Sequence, residues 1–161
     1  MTLPTTIRLY RDYILFITVT AVLVMDQISK YLIRIHLDLY QSWPPQGFIK
    51  LTHGVNSGTA FGLFQGHTFV LIVVSCLAIG FLYYFYKTYT SNIKLLRFGI
   101  GLQLGGAFGN LADRLRFGHV IDFIDVGPWP IFNLADSSIM IGIAILLASI
   151  FRLRSQGVET P

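Results

Sequence analysis

Charge is scarce in this 161-residue chain: Asp, Glu, Lys and Arg make up 12% of it, against 53% hydrophobic residues. So small a polar fraction does not cover the surface of an ordinary soluble domain. Cysteine is all but missing, and the single Cys76 lies inside an apolar run, which excludes a disulfide framework and a cysteine-built metal site. His36, His53, His67 and His119 lack metal-ligand spacing and read as surface or hydrogen-bonded groups. Internal repeats and low-complexity tracts are absent too. The net charge of +4 raises the question of a nucleic-acid partner. The basic residues, however, sit scattered at the ends of apolar segments and form no patch, a distribution that fits membrane topology and argues for no nucleic-acid partner.

What the chain does have is hydrophobic length, with a mean hydropathy of +0.62. A bilayer core of roughly 30 Å needs about 20 helical residues. Four segments qualify, over residues 13–35, 68–86, 95–115 and 135–151. Arg8 and Arg11 precede the first as in a secretory signal, but no small-x-small cleavage site follows, and Asp26 and Lys30 interrupt its far end. It is therefore expected to remain as the first membrane helix. Pro44, Pro45 and Gly47 break the chain after it; Gly127, Pro128 and Pro130 break it before the fourth.

Lys and Arg placement sets the orientation. Arg8, Arg11, Lys87, Lys94, Arg97, Arg152 and Arg154 gather on one side, so both termini are expected in the cytoplasm. The connection over 37–67 is too long for a simple loop. Phe48 to Thr52 alternates like a short strand, Gly54, Gly58, Gly62 and Gly66 mark turns, and Trp43 and Phe48 suit a membrane interface. The whole reads as an all-α polytopic membrane protein: one domain over 1–161, four transmembrane helices and a small extracytoplasmic β-rich cap.

Four of the eight acidic residues lie in or beside the apolar segments: Asp26, Asp113, Asp122 and Asp136. A carboxylate in hydrocarbon costs on the order of 3 kcal/mol, so each needs a partner or a task. Asp26 lies about 20 Å along the first helix at 1.5 Å per residue, and the proposed topology brings all four acids to the outer boundary. Asp26 and Lys30 are four apart on one helical face and are expected to pair. Asp113 adjoins Arg114, with Asn110 one turn before, which suggests an arginine-held structural acid. A second reading has Arg114 or Arg116 meeting a lipid phosphate.

Asp122 and Asp136 differ, because neither has Lys or Arg within four residues. They flank the turn Gly127-Pro-Trp-Pro130, which can fold back and bring them together. Asn133 stands three before Asp136, an N-cap arrangement that leaves a capping role open beside a chemical one. Two adjacent carboxylates share a proton, so one can activate water while the other protonates a leaving group. Gly101, Gly105, Gly106 and Gly109 form a smooth stripe that either packs helices or admits a substrate helix. Asn56 with Gly58 forms either a turn or a substrate-orienting amide.

Five blocks now come together: Asp26-Gln-Ile-Ser-Lys30, Asn56-Ser-Gly-Thr-Ala-Phe61, Gly105-Gly-Ala-Phe-Gly-Asn-Leu-Ala-Asp-Arg114, Val120-Ile-Asp-Phe123 and Phe132-Asn-Leu-Ala-Asp136. In kind and order, across nearly the whole chain, they resemble the bacterial lipoprotein signal peptidases, or signal peptidase II. The resemblance implies an intramembrane aspartic peptidase of the bacterial inner membrane with an extracytoplasmic β-cradle and an active site at the outer leaflet. It maps the catalytic aspartates onto Asp122 and Asp136, and the polar support onto Asp26, Lys30, Asn56, Asn110, Asp113, Arg114 and Asn133. It implies no metal or cofactor. The implied substrates are diacylglyceryl-modified prolipoproteins, cut just before the lipidated cysteine, with membrane lipids and cyclic-peptide inhibitors as further partners. The connection between the two aspartates is shorter here than in many members.

Two other readings compete. A proton-coupled transporter predicts an acid near the midplane and internal duplication, and neither is present. A serine–lysine peptidase would use Ser29 and Lys30, but adjacent helical residues project about 100° apart.

Overall fold

The computed structural model describes residues 5–58, 66–89 and 93–155. Four α-helices and three short strands follow in the order α1 (Thr5–His36), β1 (Ser42–Trp43), β2 (Lys50–Asn56), α2 (Thr68–Tyr89), α3 (Lys94–Phe117), β3 (Val120–Asp125) and α4 (Leu134–Ser155). Each helix outruns the apolar segment that announced it, because backbone hydrogen bonding continues past the last lipid-compatible side chain. Gly118 stops α3: it adopts φ +78° and its N–H reaches the Arg114 carbonyl.

Among the described residues, three helices are long and apolar enough to cross a membrane, over Asp12–His36, Thr68–Thr88 and Leu134–Arg152. They leave large apolar side chains outward, among them Phe16, Ile17, Phe69, Leu77, Phe81, Met140 and Phe151. The expected fourth segment, α3, falls short of that apolarity for a physical reason. It packs against α1, α2 and α4, so many of its side chains meet protein, although Leu95, Phe98, Phe108 and Leu115 remain exposed. Gln103, Asn110 and Asp113 are buried on it, along with the glycines of the stripe.

The glycine stripe settles as packing. A Cβ at Gly101 would lie 2.8 Å from the Thr18 Cβ, and one at Gly105 2.7 Å from that of Val22. The α1 helix thus lies along the stripe, and a groove open to a substrate helix does not exist there. A core of Leu15, Tyr86, Ile100 and Leu104 ties α1, α2 and α3 at the opposite end from the sheet. There Tyr86 Oη also donates to Asp12.

The strands form an antiparallel sheet in the order β1-β2-β3. The expected strand at 48–52 starts two residues later and runs to Asn56. Gly54 is not a turn residue. It lies inside β2 opposite Asp122, where a Cβ would come within 3.1 Å of the Asp122 carbonyl oxygen, so glycine lets the strands approach. The ladder shifts register between Leu51 and Gly54, a bulge that re-aims this stretch. Gly62 lies outside the described residues. The third strand, Val120–Asp125, was not expected: it is buried on both faces and shows no polar alternation.

Candidate active site

The site grows outward from one buried ammonium. Lys30 is 2% exposed, and its three N–H donors meet three acceptors: Asp26 Oδ2 at 2.7 Å, Asp113 Oδ2 at 2.9 Å and Asn110 Oδ1 at 3.0 Å. The expected Asp26–Lys30 pair forms. The expected Asp113–Arg114 pair does not: Asp113 pairs with Lys30, because neighbouring helical side chains diverge and Arg114 points elsewhere. Arg114 Nη2 donates to the Gly58 carbonyl at 3.4 Å, and its charge lies within electrostatic reach of Asp136, Asp122 and Asp113. Ser29 donates to the Asp26 carbonyl at 2.8 Å, and Lys30 is fully engaged, so no serine–lysine pair assembles.

The two acids bound to Lys30 each hold a second element. Asp26 Oδ1 accepts the backbone amide of Ala135 at 3.0 Å, fixing the start of α4. Asp113 Oδ2 accepts the amide of Ile121 at 3.2 Å, fixing β3. Gln27, which no sequence spacing singles out, supplies the remaining donors. Its Nε2 reaches Asp113 Oδ1 at 2.9 Å and Asp26 Oδ2 at 3.3 Å, while its Oε1 accepts from Arg116 at 3.1 Å.

Asp122 and Asp136 meet over this base. A hairpin brings them together: Phe132 bridges back to Ile124, and its carbonyl accepts the amides of Phe123 and Ile124 at 2.9 and 2.7 Å. Asn133 follows and touches both acids. Its Nδ2 donates to Asp122 Oδ1 at 2.6 Å, and its backbone N–H to Asp136 Oδ2 at 3.4 Å. In return, Asn133 Oδ1 accepts the Asp136 amide at 2.8 Å, closing a capping box at the start of α4. Asp136 therefore does serve the cap, and its other oxygen accepts Asn110 Nδ2 at 2.8 Å. Asn56 Nδ2 donates to Asp122 Oδ2 at 2.9 Å, while Asn56 Oδ1 accepts the Gly58 amide at 3.0 Å. The turn and the acid-orienting amide are one arrangement.

All the residues singled out from the sequence as catalytic or supporting thus lie in one polar cluster at the sheet end of the bundle. Burial, then the neighbouring Asp136, push the Asp122 carboxyl up to about 7, against the downward pull of Asn56, Asn133 and Lys30. Among the described residues, no three of His, Cys, Asp and Glu are grouped as metal ligands.

A profile of the family described as signal peptidase (SPase) II matches residues 18–152. The chain belongs to the signal peptidase II family. Among its relatives, the lipoprotein signal peptidase of Halothermothrix orenii is 40% identical over 144 residues, which cover 88% of this chain and 98% of that one. The lipoprotein signal peptidase of Moorella thermoacetica is 46% identical over 126 residues, covering 78% and 84%. Two bacterial membrane enzyme structures solved by the in meso method share the fold. One, at 2.3 Å resolution, superposes with a TM-score of 0.83 and 28% identity, covering 88% of this chain and 90% of that chain. The other, at 1.9 Å, gives 0.77 and 29%, covering 84% and 91%. In this family setting, the buried polar cluster is a candidate peptidase centre.

Proposed function

We propose that this signal peptidase II family member is an aspartic endopeptidase with Asp122 and Asp136 as its catalytic pair. It removes the signal peptide from diacylglyceryl-modified prolipoproteins by cleaving just before the lipidated cysteine. The observation that carries this reading is Asn133, whose side chain and amide are bonded to the two carboxylates. It holds the two acids side by side through hydrogen bonds of its own.

The raised Asp122 carboxyl holds the proton, and Asp136, an acceptor from Asn110 and Asn133, acts as the base. Asp136 takes a proton from water as the water attacks the scissile carbonyl. Asp122 donates to the developing oxyanion, and the pair then delivers a proton to the departing amine. Asp26, Lys30, Asn110, Asp113 and Asn133 hold the acids in place. Asn56, Gly58 and Arg114 line the approach to Asp122 and orient the substrate backbone.

The proposed setting is the bacterial inner membrane, with both termini cytoplasmic and the acids at the outer leaflet. The whole chain forms one domain there, and α3 is the fourth crossing, packed against α1, α2 and α4. The sheet rests at the headgroup level, where the exposed Trp43 and Phe48 rings suit the interface. Lipids and cyclic peptides that mimic the bound substrate are the further ligands. The test is mass spectrometry of the products from a diacylglyceryl-modified prolipoprotein. A lipidated cysteine at the new N-terminus is expected; cleavage elsewhere, or equal cleavage of the unlipidated precursor, contradicts the assigned substrate.

A further inference from the structure

Asp125 stands outside the pair and outside its supporting cluster, yet it is 7% exposed and fully engaged. It ends β3 directly opposite Lys50 of β2. Its Oδ2 accepts Lys50 Nζ and Thr52 Oγ1, each at 3.0 Å, and its Oδ1 accepts the Gly127 amide at 3.0 Å. Thr52 has one hydroxyl proton and gives it to Asp125, so in the 2.8 Å contact between Thr52 and Ser42 the serine is the donor. Hydrogen bonds therefore cross all three strands, from Ser42 through Thr52 to Asp125, and Asp125 accepts from the turn at Gly127 on its other oxygen. These donors, Gly127 first and Lys50 next, hold the Asp125 carboxyl below the usual carboxylate range.

We propose that Asp125 is a positioning residue for the peptidase reaction, a latch that fastens the hairpin between Asp122 and Asp136 to the sheet. The turn it closes runs from Asp125 to Phe132, and Phe132 leads straight into Asn133. The hairpin is short, so little chain is available to absorb a displacement at its tip before Asn133 moves against Asp122. Ser42 and Thr52 extend the same latch into the segment before α2. Asp125 touches neither catalytic carboxylate and acts only through the backbone it holds.

This inference rests on the peptidase reading above, and the experiment separates the two. Initial rates on a diacylglyceryl-modified prolipoprotein are measured for wild type, Asp125→Ala, Asp125→Asn and Thr52→Val, with thermal unfolding of each in detergent. In Asp125→Ala, kcat is expected to fall about tenfold or more, the scale of a sub-ångström to 1 Å misplacement, with KM within about twofold of wild type. Asp125→Asn keeps an acceptor for Gly127 and is expected to retain most of the rate. Should Asp125→Ala not fold, Thr52→Val removes one of the two sheet donors to Asp125, leaving Lys50 in place, and is expected to give a smaller loss, again in kcat. Unchanged kcat in the folded Asp125→Ala or, failing that, in Thr52→Val overturns the latch. So does a loss confined to KM, or an equal loss in the Asn and Ala variants. A wild type that cleaves nothing overturns the peptidase reading itself.

Discussion

The Asp113 carboxylate accepts the backbone amide of Ile121, and Ile121 immediately precedes Asp122. Asp26 repeats the relationship at the other acid, accepting the amide of Ala135 just before Asp136. Lys30 lies between these two holders and bonds both. One ammonium thus sets the backbone position of both proposed catalytic residues from behind.

Lys30→Met should be the most damaging change in this cluster. It strands two buried carboxylates, and removing one partner of a buried ion pair costs about 3–5 kcal/mol. Asp113→Asn leaves Lys30 with Asp26 and Asn110, so the smaller loss is expected there. Thermal unfolding of the two variants in the same detergent checks the order; equal stability of Lys30→Met and wild type contradicts it.

Activity should decline as pH rises through about 7, where Asp122 loses the proton that its proposed role requires. Stability follows the same direction. The folded carboxyl lies at about 7 and the unfolded one near 3.8, so the folded state binds the extra proton between these values. Stability from this group is full below the unfolded value and falls as pH climbs to the folded one, on the order of 4 kcal/mol in all. Asn56 bonds the Asp122 carboxylate and pulls its pKa down. Asn56→Ala should therefore move the alkaline limb of the rate profile to higher pH while lowering the rate itself. A limb that stays put, or moves to lower pH, contradicts the assignment of the proton to Asp122.

Two glycines on different helices should respond in opposite ways. Gly105→Val forces α1 and α3 apart, since even a Cβ would lie 2.7 Å from the Val22 Cβ. A Cβ at Gly80 would meet nothing within 4 Å, so Gly80→Ala should be neutral or gain up to about 1 kcal/mol of helix propensity. Folded yield and unfolding temperature distinguish them, and a well-folded Gly105→Val would refute the close α1–α3 contact.

Much of this site is written in residue types, because carboxylates in apolar segments are costly and conspicuous. The Asp26–Lys30 spacing specified its own partner, and Asn133 three before Asp136 specified the capping box. Partners far apart in sequence were harder to read. Asp113 has an arginine beside it, but its true cation, Lys30, comes from another helix. The strand at Val120–Asp125 escaped because both faces are buried and alternation is lost; its bounding glycines, Gly118 and Gly127, were the available signal. Gln27 and Asp125 carry no distinguishing spacing, and their roles emerge only once α1, α3 and the sheet have met.

The most direct test of the account is cleavage of a diacylglyceryl-modified prolipoprotein by purified wild type, Asp122→Asn and Asp136→Asn, with folding verified for each. Cleavage by wild type that is lost in both folded variants is the predicted result. Full activity in either variant contradicts the proposed pair and returns the chemistry to Asp26 or Asp113.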